Sequence, residues 1–168
     1  MGNISLSDGL TLLTPDVIAE IEQWIIKFPE KRKKSAIIAA LAVVQRHNNG
    51  WLSDRLLTEV AEYLELPKIS VYEVATFYSM FELKPVGKYK IAICTNISCM
   101  LCGCKSIVNH VKNKLNIEFD EVTNNGKFSL KQGECIAACD KAPVIQINNQ
   151  QFYNVTTELI DKILEDLE

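Results

Sequence analysis

This chain lacks any run of about 18 uncharged apolar residues, the length a membrane-spanning helix needs, although hydrophobic residues make up 48% of its 168 positions. A real core is expected, and direct membrane insertion is not. Glycine is scarce and scattered. Gly2, Gly9, Gly50, Gly87, Gly103, Gly126 and Gly133 form no Gly-rich loop, so neither the dinucleotide fingerprint nor a P-loop is present. An excess of positive charge is also missing: 18 Lys and Arg against 21 Asp and Glu leave a net charge of −3. The one basic cluster, Lys31 to Lys34, opens an apolar helical run, where a solvated helix end is the expected role. No nucleic-acid partner is expected. The first basic residue is Lys27, after Asp8 and Asp16, so the N-terminus resembles neither a secretory signal nor an Arg-rich transit peptide. A cytoplasmic setting is expected, and there cysteines serve more often as metal ligands or redox groups than as structural disulfides.

What the sequence does contain changes character near residue 86. Up to there the apolar residues recur at helical spacing. Val17, Ile18, Ile21, Trp24, Ile25 and Phe28 predict a first helix, closed by Pro29. A second, nearly apolar all round from Ile37 to Val44, is expected to be buried and to end at Asn48 to Gly50, residues that accept the left-handed cap conformation. Ser53 is placed to cap a third helix, carrying Leu56, Leu57, Val60, Ala61 and Leu64. A fourth is expected after Pro67, opening with Ser70 and Glu73 at capping-box spacing. Beyond Gly87 the pattern alternates. The segment KYKIAIC predicts a strand ending on Cys94, and Ile107, Val108, Val111 and Leu115 predict a helix. VTNNGKFSL predicts a hairpin turning at Asn125-Gly126. PVIQI and QFYNV predict two strands paired across Asn148-Asn149, and a helix capped by Thr156 or Thr157 closes the chain. The expected class is α+β: an N-terminal helical bundle, residues 1–85, followed by a small α/β domain, residues 86–168, with helices on one or both sheet faces.

All six cysteines follow Gly87. Cys94 and Cys99 enclose four residues, Cys135 and Cys139 enclose three, and 35 residues separate the two pairs. Each pair lies beyond a predicted strand, where loops gather functional groups. The spacing of Cys135 and Cys139 would let both point the same way from a short helix. A 2Fe–2S cluster needs four thiolates, and two close pairs brought together by a fold supply them. A zinc site normally shows two short Cys-x2-Cys knuckles, and only Cys99 and Cys102 have that spacing. The spacing favours iron–sulfur and leaves zinc, thiol redox chemistry and inert buried cysteine open. His47 and His110 fall on predicted helices away from the cysteine loops and are expected to serve surface or packing roles. Asp140 and Lys141, next to Cys139, are read equally as a solvated pair and as groups beside the site.

The stretches CTNISC and GECIAACDKAPVIQIN resemble the thioredoxin-like 2Fe–2S ferredoxins. With VYEVATFYSMF in the helical half, the chain is similar to the E-subunit family of bacterial NADH:quinone oxidoreductase, respiratory complex I, from roughly Thr14 onward. The resemblance implies a thioredoxin-like fold without thioredoxin's dithiol chemistry. It implies one 2Fe–2S cluster, with Cys94 and Cys99 on one iron and Cys135 and Cys139 on the other, and with Cys102 and Cys104 as free thiols nearby. It implies an electron carrier that is not catalytic alone. Its partner would be a flavoprotein subunit holding FMN and NADH, in a peripheral arm on the cytoplasmic face of the inner membrane. The same domain pair occurs in NAD-reducing hydrogenases and NAD-linked formate dehydrogenases, which the sequence resembles almost as well. A zinc-stapled scaffold is a further alternative. The helical half, with Trp24, Trp51, Tyr72, Phe77, Tyr78 and Phe81, is expected to present aromatic surface for docking.

Overall fold

Pro15 has a ring that presets a helical φ, and its missing N–H costs nothing in a first turn; it opens α1 (Pro15–Ile25). This and all that follows comes from a computed structural model, which describes residues 12–167. The N-terminal targeting expectation concerns residues that lie largely outside that range, and the side chain of Lys31 also lies outside the described residues. Two compact units divide after Pro85, each with its own core.

In the first unit Val17 and Ile21 of α1 are buried. Trp24 shares the spacing of that buried face but stays at the surface, as the docking expectation has it. It is 40% exposed, with Lys27 Nζ 3.6 Å from its ring centroid, so a cation rather than the core covers it. A 3-10 segment, Glu30–Ala36, interrupted at Arg32, leads into α2 (Ile37–His47). Arg32 and Lys34 are exposed, in keeping with a solvated cluster. Ile37, Ala40, Leu41, Val43 and Val44 are buried, but Ile38 is exposed, so this helix is buried on one side and not all round as its apolar pattern predicted. Asn49 (φ 52°) and Gly50 (φ 86°) then turn left-handed, and the Gly50 N–H donates to the Gln45 carbonyl at 2.8 Å.

Helix α3 (Asp54–Tyr63) is capped as expected, the Ser53 hydroxyl accepting the Leu56 N–H at 3.2 Å. The predicted capping box is not formed. Helix α4 (Lys68–Phe77) already begins beside Pro67, without a side-chain cap, because proline's fixed φ starts the turn before Ser70 is reached. Gln45 straps the segment after α4 to α2: its amide donates to the Met80 carbonyl at 3.1 Å and accepts the Glu82 N–H at 2.8 Å.

The second unit carries a four-stranded sheet in the order β2-β1-β3-β4, made of β1 (Tyr89–Cys94), β2 (Phe128–Gly133), β3 (Ile145–Ile147) and β4 (Gln150–Phe152). Strands β1 and β2 are parallel, which requires a crossover. Helices α5 (Ile97–Leu101) and α6 (Cys104–Leu115) supply it. Strands β3 and β4 add antiparallel, joined at Asn148 (φ 51°). The Asn148 side chain ties that turn to β1, accepting the Lys90 N–H at 2.9 Å and donating to the Lys88 carbonyl at 3.2 Å.

The expected hairpin is reduced. Gly126 (φ 69°) turns the chain, and Asp120, Glu121 and Thr123 of the first arm bond to the backbone of β2, but the arm is no strand beyond the isolated Val122–Ser129 bridge, and the ladder of β2 belongs to β1. Helix α7 (Thr157–Asp166) is capped by Thr156, whose hydroxyl accepts the Leu159 N–H at 3.2 Å. Val111 of α6 and Ile160 and Leu164 of α7 pack with Ile91, Ile93 and Ile145 of the sheet. The fold is therefore α+β, a helical bundle followed by an α/β unit.

Gly87 shows how tightly β2 seats. A Cβ there would lie 2.4 Å from the Phe128 carbonyl carbon and 2.6 Å from the Ser129 nitrogen. Both are backbone atoms, so no side-chain rotation relieves the clash. Gly87→Ala should cost about 1–3 kcal/mol, the usual range for overpacking, read as a lower urea midpoint. An unchanged midpoint would show that the two backbones do not meet this closely.

Candidate metal centre

The sheet register gathers the cysteine loops. Across the parallel pair Cys94 stands opposite Gly133, and across the antiparallel pair Ile93 stands opposite Ile145. Strands β1 and β2 therefore end side by side, and β3 begins at that same end. Cys94 leaves β1 there, Cys135 follows β2 by two residues, and Cys139 lies on the chain returning to β3. Alternation sends Ile91 and Ile93 to one face and Cys94 to the other. Cys94 accordingly belongs to a small separate core with Cys99, Cys104 and Val144.

Short hydrogen bonds fix this end. The Cys94 N–H donates to the Val144 carbonyl at 3.1 Å, and the Thr95 N–H donates to the Gly133 carbonyl at 2.9 Å. Gln132 Nε2 donates to Thr95 Oγ1 at 3.0 Å. The Asn96 side chain accepts the Ile97 N–H at 2.8 Å and starts α5. That helix, which the sequence pattern did not reveal, turns Cys99 inward while Ile97, Met100 and Leu101 stay exposed. Gly103 (φ 87°) then reverses the chain left-handed, and Cys104 opens α6 facing the same interior.

Cys94, Cys99 and Cys104 are at most 3% exposed. Burial pushes the Cys99 thiol up to about 11, with its hydrogen bond to Cys94 acting in the same direction. Burial also raises Cys104, with Cys94 adding to it. Cys102, Cys135 and Cys139 are exposed.

The loop carrying Cys135 and Cys139 is not the single helical turn that their spacing allowed. Ala137 is left-handed (φ 57°), and its N–H turns back to the Cys135 sulfur at 3.4 Å. Only Cys139–Lys141 forms a 3-10 turn. A left-handed alanine costs roughly 1–2 kcal/mol, and the surroundings hold it: Gln151 Nε2 donates to the Ile136 carbonyl at 3.2 Å, and the Lys141 N–H to the Ala138 carbonyl at 3.0 Å. The Cys94 thiol reaches toward this loop, 3.8 Å from the Glu134 carbonyl. As they stand, no three His, Cys, Asp or Glu side chains among the described residues are grouped closely enough to hold one metal ion. The structure thus unites Cys94 and Cys99, adds Cys104, and sets Cys135 and Cys139 on the adjoining loop with their thiols outward.

The histidines are occupied elsewhere. His110 Nε2 lies 2.7 Å from Asp161 Oδ1, which Lys114 Nζ also reaches at 2.7 Å. Lys114 first, then His110, hold the Asp161 carboxyl below its usual range. His47 Nε2 lies 3.2 Å from Glu20, which Arg46 also pairs. Lys141 Nζ sits 4.7 Å from the Tyr153 ring centroid.

The donor set fits a 2Fe–2S group in kind: soft thiols in two pairs, at one sheet end, with no imidazole among them. A model of the thioredoxin-like [2Fe-2S] ferredoxins matches residues 21–168, and the chain belongs to that family. Its relatives narrow the assignment. The E subunit of the NADH-quinone oxidoreductase of Rickettsia bellii is 46% identical over 146 residues, 87% of each chain. An E subunit of the NADH-quinone oxidoreductase of Rhizobium meliloti is 38% identical over 87% of this chain and 85% of that one. The chain is thus a member of the E-subunit family of these oxidoreductases. Among solved structures, the air-oxidised NAD+-reducing [NiFe]-hydrogenase matches with a TM-score of 0.69 at 21% identity over 83% of this chain. This chain spans only 24% of that hydrogenase chain, and the likeness concerns the fold alone. Family membership supports an iron–sulfur cluster in this protein.

The contrast between buried and exposed thiols is directly measurable. In the chain free of metal at pH 8, iodoacetamide should modify Cys102, Cys135 and Cys139 well before Cys94, Cys99 and Cys104. Thiolate is the reacting form, and burial suppresses it at Cys99 and Cys104. Peptide mass spectrometry against time gives the order. Equal rates at all six positions would show that the sulfur core is open to solvent.

Proposed function

We propose that this protein is the electron-transfer subunit of an NADH:quinone oxidoreductase, with one 2Fe–2S cluster bound by Cys94 and Cys99 on one iron and by Cys135 and Cys139 on the other. The observation that carries the reading is the register, Cys94 opposite Gly133, which brings both cysteine loops to one end of the sheet in a chain of this family. Bound there, the cluster supplies one-electron transfer. The chain's own part is to hold the sulfurs. Strand β1 and α5 fix Cys94 and Cys99 in an apolar, water-poor core. The loop after β2 offers Cys135 and Cys139 from the solvent side.

NADH and FMN belong, in this reading, to a flavoprotein partner, since the seven scattered glycines form no phosphate loop. The assembly sits in a peripheral arm on the cytoplasmic face of the membrane. Consistent with that, no helix among the described residues is long and apolar enough to cross a membrane. The same unit in an NAD-reducing hydrogenase is the second reading, favoured by the fold likeness. Identity of 46% to an E subunit over 87% of the chain supports the first.

Residues 86–168 form the cluster domain and residues 1–85 the docking domain. Phe77, Tyr78, Met80 and Leu83 are exposed at and beyond the end of α4, an apolar patch of the kind that marks protein contacts. Phe81, by contrast, is buried, and Trp51 and Tyr72 are half-buried, so only part of the expected aromatic set is available to a partner.

Anaerobically purified protein should carry iron and acid-labile sulfide at about two each per chain, be silent by EPR when oxidised and give a spin-one-half signal when reduced. Cys→Ala at position 94, 99, 135 or 139 should abolish the cluster, and Cys102→Ala should leave the spectrum unchanged. Stoichiometric zinc without sulfide, colourless in the visible, would leave only a scaffold role. A chain beginning at Val86 should still assemble the cluster but bind the flavoprotein subunit at least tenfold more weakly than the full chain, measured by co-purification or titration. Equal binding would place the docking surface in the cluster domain.

A further inference from the structure

The peptide between Ile136 and Ala137 is held at both of its polar ends. Its N–H, on Ala137, donates to the Cys135 sulfur at 3.4 Å. Its carbonyl, on Ile136, accepts from Gln151 Nε2 at 3.2 Å. A carbonyl only accepts, so the Gln151 amide presents its nitrogen there and its oxygen on the other side. That oxygen accepts the Tyr153 hydroxyl at 2.9 Å. Lys141 Nζ lies 4.7 Å from the Tyr153 ring centroid, and the Lys141 carbonyl accepts the Asn154 N–H at 2.8 Å. Gln151 stands on β4, the edge strand of the sheet, and is exposed. Its hold on the cysteine loop is this amide, not burial.

The hold matters because the loop is strained. Ala137 has a φ of 57°, a conformation that costs alanine more than glycine. Rotating the 136–137 peptide by half a turn would return Ala137 to a negative φ. It would also exchange the two polar ends, turning the carbonyl toward Cys135 and the N–H away from it. The Gln151 amide opposes that rotation, since it would lose its acceptor.

We propose that Gln151 is a positioning residue for the cluster: it locks the Ile136–Ala137 peptide with its N–H on the Cys135 sulfur and thereby raises the reduction potential. The inference rests on the 2Fe–2S reading given above, in which Cys135 binds iron as a thiolate. The contact is local to the turn, the sulfur accepting from the N–H two residues on, in the manner of an Asx turn. Hydrogen bonds to the sulfurs are among the factors that set the potential. Reduction adds negative charge, so a donor at sulfur stabilises the reduced form more than the oxidised one. A carbonyl oxygen in place of that N–H would do the reverse.

The test is a redox titration followed by EPR on the intact, iron-loaded protein, comparing wild type with Gln151→Met, Ala137→Gly and the two combined. Methionine keeps the length of glutamine without its donor and without charge. Gln151→Met should retain wild-type iron and sulfide but shift the reduction equilibrium about fivefold toward the oxidised form, a fall of about 41 mV at about 59 mV per tenfold for one electron. Glycine takes the left-handed conformation without strain, so the shift caused by Gln151→Met should shrink to less than about twofold when Ala137→Gly is also present. Three results overturn the proposal: a wild-type potential in Gln151→Met, an equal fall with and without Ala137→Gly, which would mean that the amide does not act through this peptide, or a loss of iron in Gln151→Met that Ala137→Gly does not restore, which would make Gln151 a support of the loop and no more. Absence of iron and sulfide from the wild type would instead defeat the underlying reading and is seen before any variant is titrated.

Discussion

The parallel pairing of β1 with β2 is the constraint on which the rest depends. Six residue pairs, from Tyr89 opposite Phe128 to Cys94 opposite Gly133, fix where both strands stop. Both chains leave the sheet at the same end, and the antiparallel β3 enters there, with Ile145 opposite Ile93. A slip of one residue would move Cys94 to the face of Ile91 and Ile93 and exchange a core isoleucine for a thiol. The hydrophobic set of β1, β3, α6 and α7 penalises that slip, so the ordinary burial of isoleucine holds the sulfurs in place. A parallel pair needs a crossover, and this one carries Cys99 and Cys104.

Burial then divides the thiols. Cys94, Cys99 and Cys104 lie within the protein, and Cys135 and Cys139 face solvent. Desolvation disfavours an ionised thiol, which is why Cys99 is raised to about 11. Metal binding must release the proton held at Cys99, so the free energy of binding works against burial there. The left-handed Ala137 beside Cys135 is local strain of the kind that accumulates at functional sites. Its N–H is aimed at sulfur.

Much of this was legible in the sequence, and the failures have physical causes. Alternation predicted β1 to its last residue, and the caps at Ser53 and Thr156 were readable because a hydroxyl three residues before an orphan N–H has one obvious use. Ser70 and Glu73 misled because Pro67 had already begun α4. Trp24 has helical spacing but lies under Lys27 at the surface, a choice that periodicity does not encode. Helix α5 spans five residues, too few for a period to register. The three residues between Cys135 and Cys139 allowed a helical turn, and only the tertiary hydrogen bond from Gln151 to Ile136 shows why the loop takes another path. Spacing picked out two close pairs, and the choice of those four cysteines as ligands came from the family resemblance. That Cys104 shares the core of two of them required the fold.

The most direct measurement is X-ray absorption at the iron K-edge of the anaerobically purified full chain. The account predicts an all-sulfur shell about each iron, from thiolates and bridging sulfides, with a second iron close by. A shell containing nitrogen or oxygen, or a single iron with no iron neighbour, would contradict a 2Fe–2S centre held by Cys94, Cys99, Cys135 and Cys139.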